Sequence, residues 1–379
     1  MTDIAVIGAG VVGLSTAWLL AEAGLTVTVL DSGTAGSGVS RHAHGEIVPP
    51  APAAQPLWRQ SLLLYQRLSE HGDFEWDPEP VGTAIVADHG AEDLLPARKD
   101  AVPDGHVVDA AGLCAVEPSI APSNAGALLL AEGRRLNPRK AVAALARCAG
   151  SAGAMLHNGV TVVGLHHAPG MWHLQTSDGS SIDARRVVVA AGFRSPRLVQ
   201  DVACRIPLVG VRGRILLTEP LPPMLTRIVS DASAGAAALS AARTTMKDLA
   251  TRGSESVAAA ALLHQRPDGR FAIGSSWAPS LWPEDPATAR HIAHAAVRRV
   301  PALADAVVED SWSDVRPCSV DGRPIIDEIA ENLYVCCGHG GEGFMNGPGS
   351  AELLTRIVLG HQTGPQATAF SARRFTPPN

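Results

Sequence analysis

The feature that most constrains the fold lies at the start of the chain, where IAVIG leads into Gly8-Ala9-Gly10-Val11-Val12-Gly13. A short apolar run suits a buried parallel strand. The G-x-G-x-x-G spacing that follows suits the turn from that strand into a helix. Gly8 permits the tight turn, Gly10 lets the backbone approach a pyrophosphate, and Gly13 lets helix and strand pack closely. VVGLSTAWLLAEAG has helical periodicity and stops at Gly24, a C-cap glycine. TVTVL then forms a second strand ending in Asp31, 18 residues past Gly13. A carboxylate there can accept from ribose hydroxyls and repels a 2′-phosphate. The order strand, turn, helix, strand, acid predicts a dinucleotide site; the alternative is an ordinary glycine-rich corner. The motif alone does not separate FAD from NAD.

At 379 residues the chain exceeds one compact core and suits two domains. Its 46% hydrophobic and 18% charged content is that of an ordinary globular protein. Only 4% is aromatic, so the core must rest on Ala, Val, Leu and Ile. A net charge of −6 with no Lys/Arg-rich run argues against a nucleic-acid partner. Basic charge is nearly all Arg, lysine occurring only at Lys99, Lys140 and Lys247. Cys114, Cys148, Cys204, Cys318, Cys336 and Cys337 show neither a C-x-x-C pair nor zinc spacing, so a reduced, cytoplasmic chain without a metal is expected. The first strand starts by Ile4 with no charged leader, and a secretory signal is not expected. Glycines and Glu22 interrupt the apolar stretch Ile4–Leu30, so no membrane span is expected.

Beyond Ser32 the pattern changes. SGTAGSGVSRHAHGEIVPPAPAAQP reads as a long loop, of a length that tends to be functional or disordered. LWRQSLLLYQRLSEHG reads as an amphipathic helix, and VGTAIVAD and NAGALLLAEG as strands. NPRKAVAALARCAGSAGAML reads as a helix capped by Asn137 with Pro138 at its first position. Short strands follow, ending in RVVVAAG. AALLHQRPDGRFAIGSS forms a hairpin turning at Pro267-Asp268-Gly269. PATARHIAHAAVRRVPAL is helical, and a last helix is expected over Ser350–Gly360. No internal repeat is visible.

Seven separated segments, in this order, resemble the FAD-dependent D-amino-acid oxidase superfamily: the fingerprint to Asp31, SGVSRHAHGEI, EGRRLNPRKAVAAL, VVVAAGFRSPRL, RPDGRFAIGSS, DVRPCSVDGRPIID and GHGGEGF. That superfamily includes glycine oxidase, sarcosine oxidase, dimethylglycine dehydrogenase and the catalytic subunits of opine and hydroxyproline dehydrogenases. The resemblance covers nearly the whole chain and selects FAD. It implies an α/β (α+β overall) architecture in which an antiparallel-sheet substrate domain is inserted into a Rossmann-like FAD-binding domain. The FAD-binding domain would comprise 1–75, 137–205 and 316–379, and the substrate domain 76–136 and 206–315. The implied reaction oxidises the C–N bond of a small amino acid or secondary amine carrying a carboxylate. Hydride passes from Cα to flavin N5, giving an imine that hydrolyses. A neutral amine is the reactive form, and positioning rather than a dedicated acid–base side chain does most of the work. The alternatives are an FAD-dependent 2-hydroxy-acid dehydrogenase and the flavin subunit of a heteromeric opine or hydroxyproline dehydrogenase. The acceptor, O2 or another, stays open, as does assembly into a homo-oligomer or with partner subunits.

The resemblance also distributes roles. Gly8, Gly10, Gly13 and Asp31 take the nucleotide, and Ser40, Arg41, His42 and Gly45 pass beside the isoalloxazine. Val162, Ala191 and Gly192 lie near the adenine end, and Gly338, Gly340, Gly341, Gly343, Phe344 and Met345 wrap the flavin. Arg316 matches the family's R-P-x-x-x-D-G-x-P, where the Arg grips the substrate carboxylate; a planar guanidinium can do so bidentately. His42 stands where dimethylglycine and sarcosine dehydrogenases carry, in S-T-W-H-A-A-G, a His bonded to the flavin. Here the Trp is Arg41 and the second Ala is His44, so covalent and noncovalent binding both stay open. Asp314, not Cys318, falls in the register of the cysteinyl link of monomeric sarcosine oxidase, and Met345 replaces that enzyme's carboxylate-binding Lys. His42, His44 and His339 join Arg316 as catalytic candidates. Glu46 and Glu342 could reach the flavin face, Glu342 to select a second ammonium group. Cys336 and Cys337 are expected as small buried residues in the preceding strand.

Overall fold

The computed structural model describes residues 2–71, 74–102, 104–201, 205–234, 258–281 and 284–375, so Cys204 and Lys247 lie outside the described residues. Among the described residues, two eight-stranded sheets and a short ribbon organise the fold. The first sheet is ordered β17 (Ile325–Ala330), β18 (Leu333–Cys337), β11 (Ser181–Val189), β1 (Thr2–Ile7), β2 (Val27–Asp31), β8 (Met155–Asn158). An antiparallel pair, β9 (Val162–Ala168) and β10 (Met171–Thr176), joins it at β11. From β18 to β8 the pairing is parallel. Such strands read as unbroken apolar runs because both faces are covered. One face meets α1 (Val11–Glu22), α2 (Gln55–Glu70), α5 (Pro138–Ser151) and α8 (Gly343–Val358), through Leu14, Trp18, Leu68, Leu145 and Leu354. The other meets the β9–β10 pair through Leu165, Trp172 and Leu174. Asn137 caps α5, its Oδ1 accepting from the N–H groups of Arg139 (3.2 Å) and Lys140 (3.3 Å).

The second sheet is ordered β16 (Val308–Ser319), β12 (Leu208–Pro220), β15 (Arg270–Pro279), β14 (Ala258–Gln265), β13 (Ile228–Asp231), β4 (Thr83–Ala87), β6 (Gly126–Leu130), β5 (His106–Val108). It is antiparallel except where β13 meets β4, and α7 (Thr288–Arg299) buries Ile292 and Ala296 against it with Leu263 and Phe271. Among the described residues the remaining helices, α3 (Leu94–Ala101), α4 (Ala110–Val116), α6 (Ser195–Val199) and α9 (Pro365–Phe370), are short. A short ribbon pairs β3 (Glu46–Ile47) with β7 (Arg134–Arg135).

Three expectations need correction. The junction placed between 315 and 316 falls inside β16, which stays paired to β12 from Val308 to Ser319. β16 is an edge strand, where the missing N–H of Pro317 is tolerated. The helix expected over Ser350–Gly360 is α8, which begins at Gly343, seven residues before Ser350, and α9 follows it. Gly347, Pro348 and Gly349 speak against a helix there, and contacts with α2 override them. Pro348 cannot donate to the Phe344 carbonyl, so the Tyr65 hydroxyl does (2.8 Å). A Cβ on Gly349 would lie 1.9 Å from the Leu57 carbonyl oxygen, and its N–H donates to Ser61 Oγ (2.9 Å). Finally, the long loop holds short elements of its own: β3, single helical turns at Val39–His42 and Pro52–Ala54, and the start of α2 at Gln55.

Candidate active site

The turn from β1 into α1 is shaped by what glycine lacks. Gly8 has φ +106°, and a Cβ there would sit 2.5 Å from the Ala190 carbonyl oxygen. One on Gly13 would sit 1.9 Å from the Gly8 carbonyl oxygen. Gly10 caps α1 without a side chain, and Ser40 Oγ accepts from the Val11 N–H (3.1 Å) instead. Asp31 binds the turn to the end of β2, Oδ2 accepting from Ala9 N–H (2.6 Å) and Oδ1 from Gly33 N–H (2.8 Å). A carboxylate retains acceptor capacity beyond those two bonds. Val160 N–H reaches the Asp31 carbonyl (2.9 Å), and Ala191 and Gly192 follow β11 beside the same corner. Val162 is turned into the core with Leu30 and Val189, so its side chain supports this corner from beneath. A helix N-terminus cleared by glycine, with an acid at the end of β2, fits the nucleotide half of FAD.

The loop after β2 ties this corner to the second sheet. Arg41 is exposed. His42 Nδ1–H donates to Asp314 Oδ2 (2.9 Å), and its carbonyl accepts from Trp312 Nε1–H (2.9 Å). His44 Nε2–H donates to the Ala272 carbonyl (3.0 Å), and His264 Nε2–H donates to the His44 carbonyl (3.1 Å). Gly45, at φ +99°, leaves no room for a Cβ, which would lie 2.3 Å from the Leu136 carbonyl oxygen.

Arg316 projects from β16 opposite Val211 of β12. Its guanidinium lies against Gly213, where a Cβ would approach its atoms to 2.0–2.2 Å. Nη1 donates to the Ser276 carbonyl (3.0 Å) and Nη2 to Ser275 Oγ, with the Trp277 ring centre 5.7 Å from Cζ. A guanidinium has five N–H donors, so these two bonds leave others for a ligand. Burial lowers the pKa of Arg316, while Cys318 and Glu46 oppose the shift.

The loop into α8 abuts this group: a Cβ on Gly341 would lie 3.5 Å from Arg316 Cδ, and one on Gly340 3.3 Å from Cys318 Sγ. Burial pushes the Cys318 thiol up to about 11, leaving no reactive thiolate. Gly338 and Gly340 have φ +80° and +56°. His339 is turned into α8, its Nε2 bonded to Ser350 Oγ (2.9 Å), and burial lowers its pKa to about 4. Its ring serves the core. Glu342 occupies the N-cap of α8 and accepts from Asn346 Nδ2–H (2.7 Å); burial raises its pKa. Gly343 opens α8, and Phe344 and Met345 are buried in its first turn. Cys336 and Cys337 are buried in β18. Sequence reasoning missed Gly213, His264, Ser275, Ser276, Trp277 and Asn346. Only Gly213, interrupting the alternation of VGVRGRIL, left a signal.

Residues 3–357 match the DAO family, described as FAD dependent oxidoreductase. The chain is 27% identical over 374 residues to glycine oxidase from Pseudomonas aeruginosa, covering 95% of each chain. To D-amino acid dehydrogenase from Allorhizobium ampelinum it is 25% identical over 430 residues, again covering 95% of each. Its fold matches that of glycine oxidase from Geobacillus kaustophilus with a TM-score of 0.84, at 24% identity and over 98% of both chains. With a glycine-cleared nucleotide corner joined to a guanidinium-bearing strand wall, this chain belongs to the DAO family of FAD-dependent oxidoreductases.

Proposed function

We propose that the enzyme oxidises the C–N bond of a small amino acid or secondary amine whose carboxylate is held by Arg316. The observation that carries this reading is the seat of that guanidinium, pressed on Gly213, fixed by Ser275 and Ser276, and adjoining Gly341. Relatives named glycine oxidase and D-amino acid dehydrogenase support an amino-acid substrate. Gly8, Gly10, Gly13, Asp31 and Ser40 would hold the nucleotide half of FAD, and the 338–343 loop its ring. Bound there, FAD supplies the two-electron acceptor. Arg316 supplies orientation, each charge-assisted hydrogen bond contributing ~1.5–3 kcal/mol.

Noncovalent binding of FAD is the primary reading. Attachment through His42 is the second, favoured by its place in the loop; with Nδ1 engaged by Asp314, that bond would have to form at Nε2. Acid precipitation separates them, since colour left in the supernatant supports the first and colour in the pellet the second. The test of function is anaerobic bleaching of the purified yellow protein by glycine, sarcosine, D-amino acids, hydroxyproline, opines and 2-hydroxyglutarate. Bleaching by an amine-bearing carboxylate supports the reading. Bleaching by 2-hydroxyglutarate alone, or a colourless protein, overturns it.

A further inference from the structure

The second sheet turns one face to α7 and the other to the 338–343 loop. On β13, Asp231 pairs with Arg299 of α7 (2.6 Å), and Val229 packs beside Ile292. On β12, Leu216 belongs to the same cluster. Alternation therefore turns Ala232, Val211 and Gly213 to the opposite face. Arg316 lies there, against Gly213. So does α3, whose Leu95 packs with Ala232, Leu128 and Leu130.

Arg98 extends from α3 over this face. It is half-buried, and its Nη2–H donates to the Ala232 carbonyl in a long bond of 3.4 Å. Among the described residues it has no ion-pair partner. One long bond leaves most of its five donors unspent. Strand pairing sets its anchor in line with those of Arg316. Ser230 pairs with Leu262 and Ala259 with Ser276, so Ala232, Ala260 and Ser275 follow one another across β13, β14 and β15. Two strand spacings, ~10 Å, thus separate the Ala232 anchor from Ser275 and Ser276, which hold Arg316. Between them lies Ala260, buried with Val211 and Trp277 and bearing no charge.

The 338–343 loop runs past both guanidinium groups. Gly341 adjoins Arg316, and Glu342 is near enough to Arg98 for that charge to draw its pKa down. Burial, with Glu46 nearby, still leaves the Glu342 carboxyl raised, so it competes weakly for Arg98. Gly341 is exposed, and the span between the two groups is open to solvent at that point. Two cations at the ends of a small apolar floor suit an anion with two heads.

We propose that Arg98 holds a second carboxylate, so that the substrate is a short amine with one carboxylate at each guanidinium. The inference rests on the amine reading above and narrows it. The second carboxylate can be carried by the side chain, as in an acidic amino acid, or by the nitrogen substituent, as in an N-carboxyalkyl amino acid.

Flavin absorption of the FAD-loaded protein would be followed at pH 7 with valerate and with glutarate, which has the same chain length and a second carboxylate. Wild type should bind glutarate at least about tenfold more tightly, the effect of one charge-assisted hydrogen bond. In Arg98→Met that ratio should fall to about one. Arg98→Glu should bind 5-aminovalerate more tightly than glutarate, an exchange that a merely structural role does not produce. Anaerobic bleaching separates the two carriers. Faster bleaching by D- or L-glutamate than by norvaline places the second carboxylate on the side chain. Faster bleaching by N-carboxymethylalanine than by N-ethylalanine places it on the nitrogen, and either result supports the proposal. Valerate binding with no preference for glutarate, equal losses for both ligands in R98M, or no gain in bleaching from either dicarboxylate overturns it while leaving Arg316 in place. Wild type that binds neither ligand removes the carboxylate reading itself.

Discussion

The nucleotide corner and the strand wall are held in opposite ways. At Gly8–Gly13 the absence of side chains is what matters, and backbone packs on backbone at distances no Cβ permits. At β12, β15 and β16 side chains matter, and Arg316 depends on partners contributed by two other strands. The first arrangement is local and written in a motif. The second exists only once register is set.

Substitution in each region sharpens that contrast. The largest effect is expected from Gly13→Val, which drives a side chain into the Gly8 carbonyl. Purified protein should carry no FAD, read from its visible-to-ultraviolet absorbance ratio; full FAD occupancy would break the steric account. Gly213→Ala should leave FAD content intact and weaken acetate binding by roughly tenfold, about one displaced charge-assisted hydrogen bond. If it lost FAD instead, the two regions would not be separable.

Stability tests come next. His339 has its pKa lowered to about 4 from 6.5 by burial, so the unfolded chain binds its proton first as pH falls. Its contribution is intact above pH 6.5 and is lost progressively down to about pH 4, by about 3 kcal/mol. Urea unfolding should show His339→Gln losing less stability than wild type between pH 7 and 5; equal losses would put the effect elsewhere. Smallest is Tyr65→Phe, which strips the donor from the Phe344 carbonyl left open by Pro348. It should cost ~1–3 kcal/mol in thermal or urea unfolding, and a neutral result would mean that carbonyl finds another donor.

The same contrast explains what the sequence disclosed. Strand, turn, helix and Asp31 were legible because each obeys a local rule, and Arg316 because it sits in a motif of fixed spacing. The start of α8 was hidden because Pro348 and three glycines contradict helix propensity, and only Tyr65, Ser61 and Leu57 on α2 make them acceptable. The junction placed at 315/316 falls inside β16, because the extent of that strand is set by its pairing with β12 and not by a local signal. Ser275, Ser276 and His264 meet the site from a hairpin whose alternation gives no hint of which face turns inward. His44 was visible, yet its bond to the Ala272 carbonyl is a property of the folded loop alone.

The most direct measurement is acetate titration of FAD-loaded wild type and Arg316→Met, read by flavin absorption. A saturable shift in wild type, with a dissociation constant raised about a hundredfold or more in the variant, is the expected result for a guanidinium that binds carboxylate beside the flavin. Equal dissociation constants in the two proteins would contradict it.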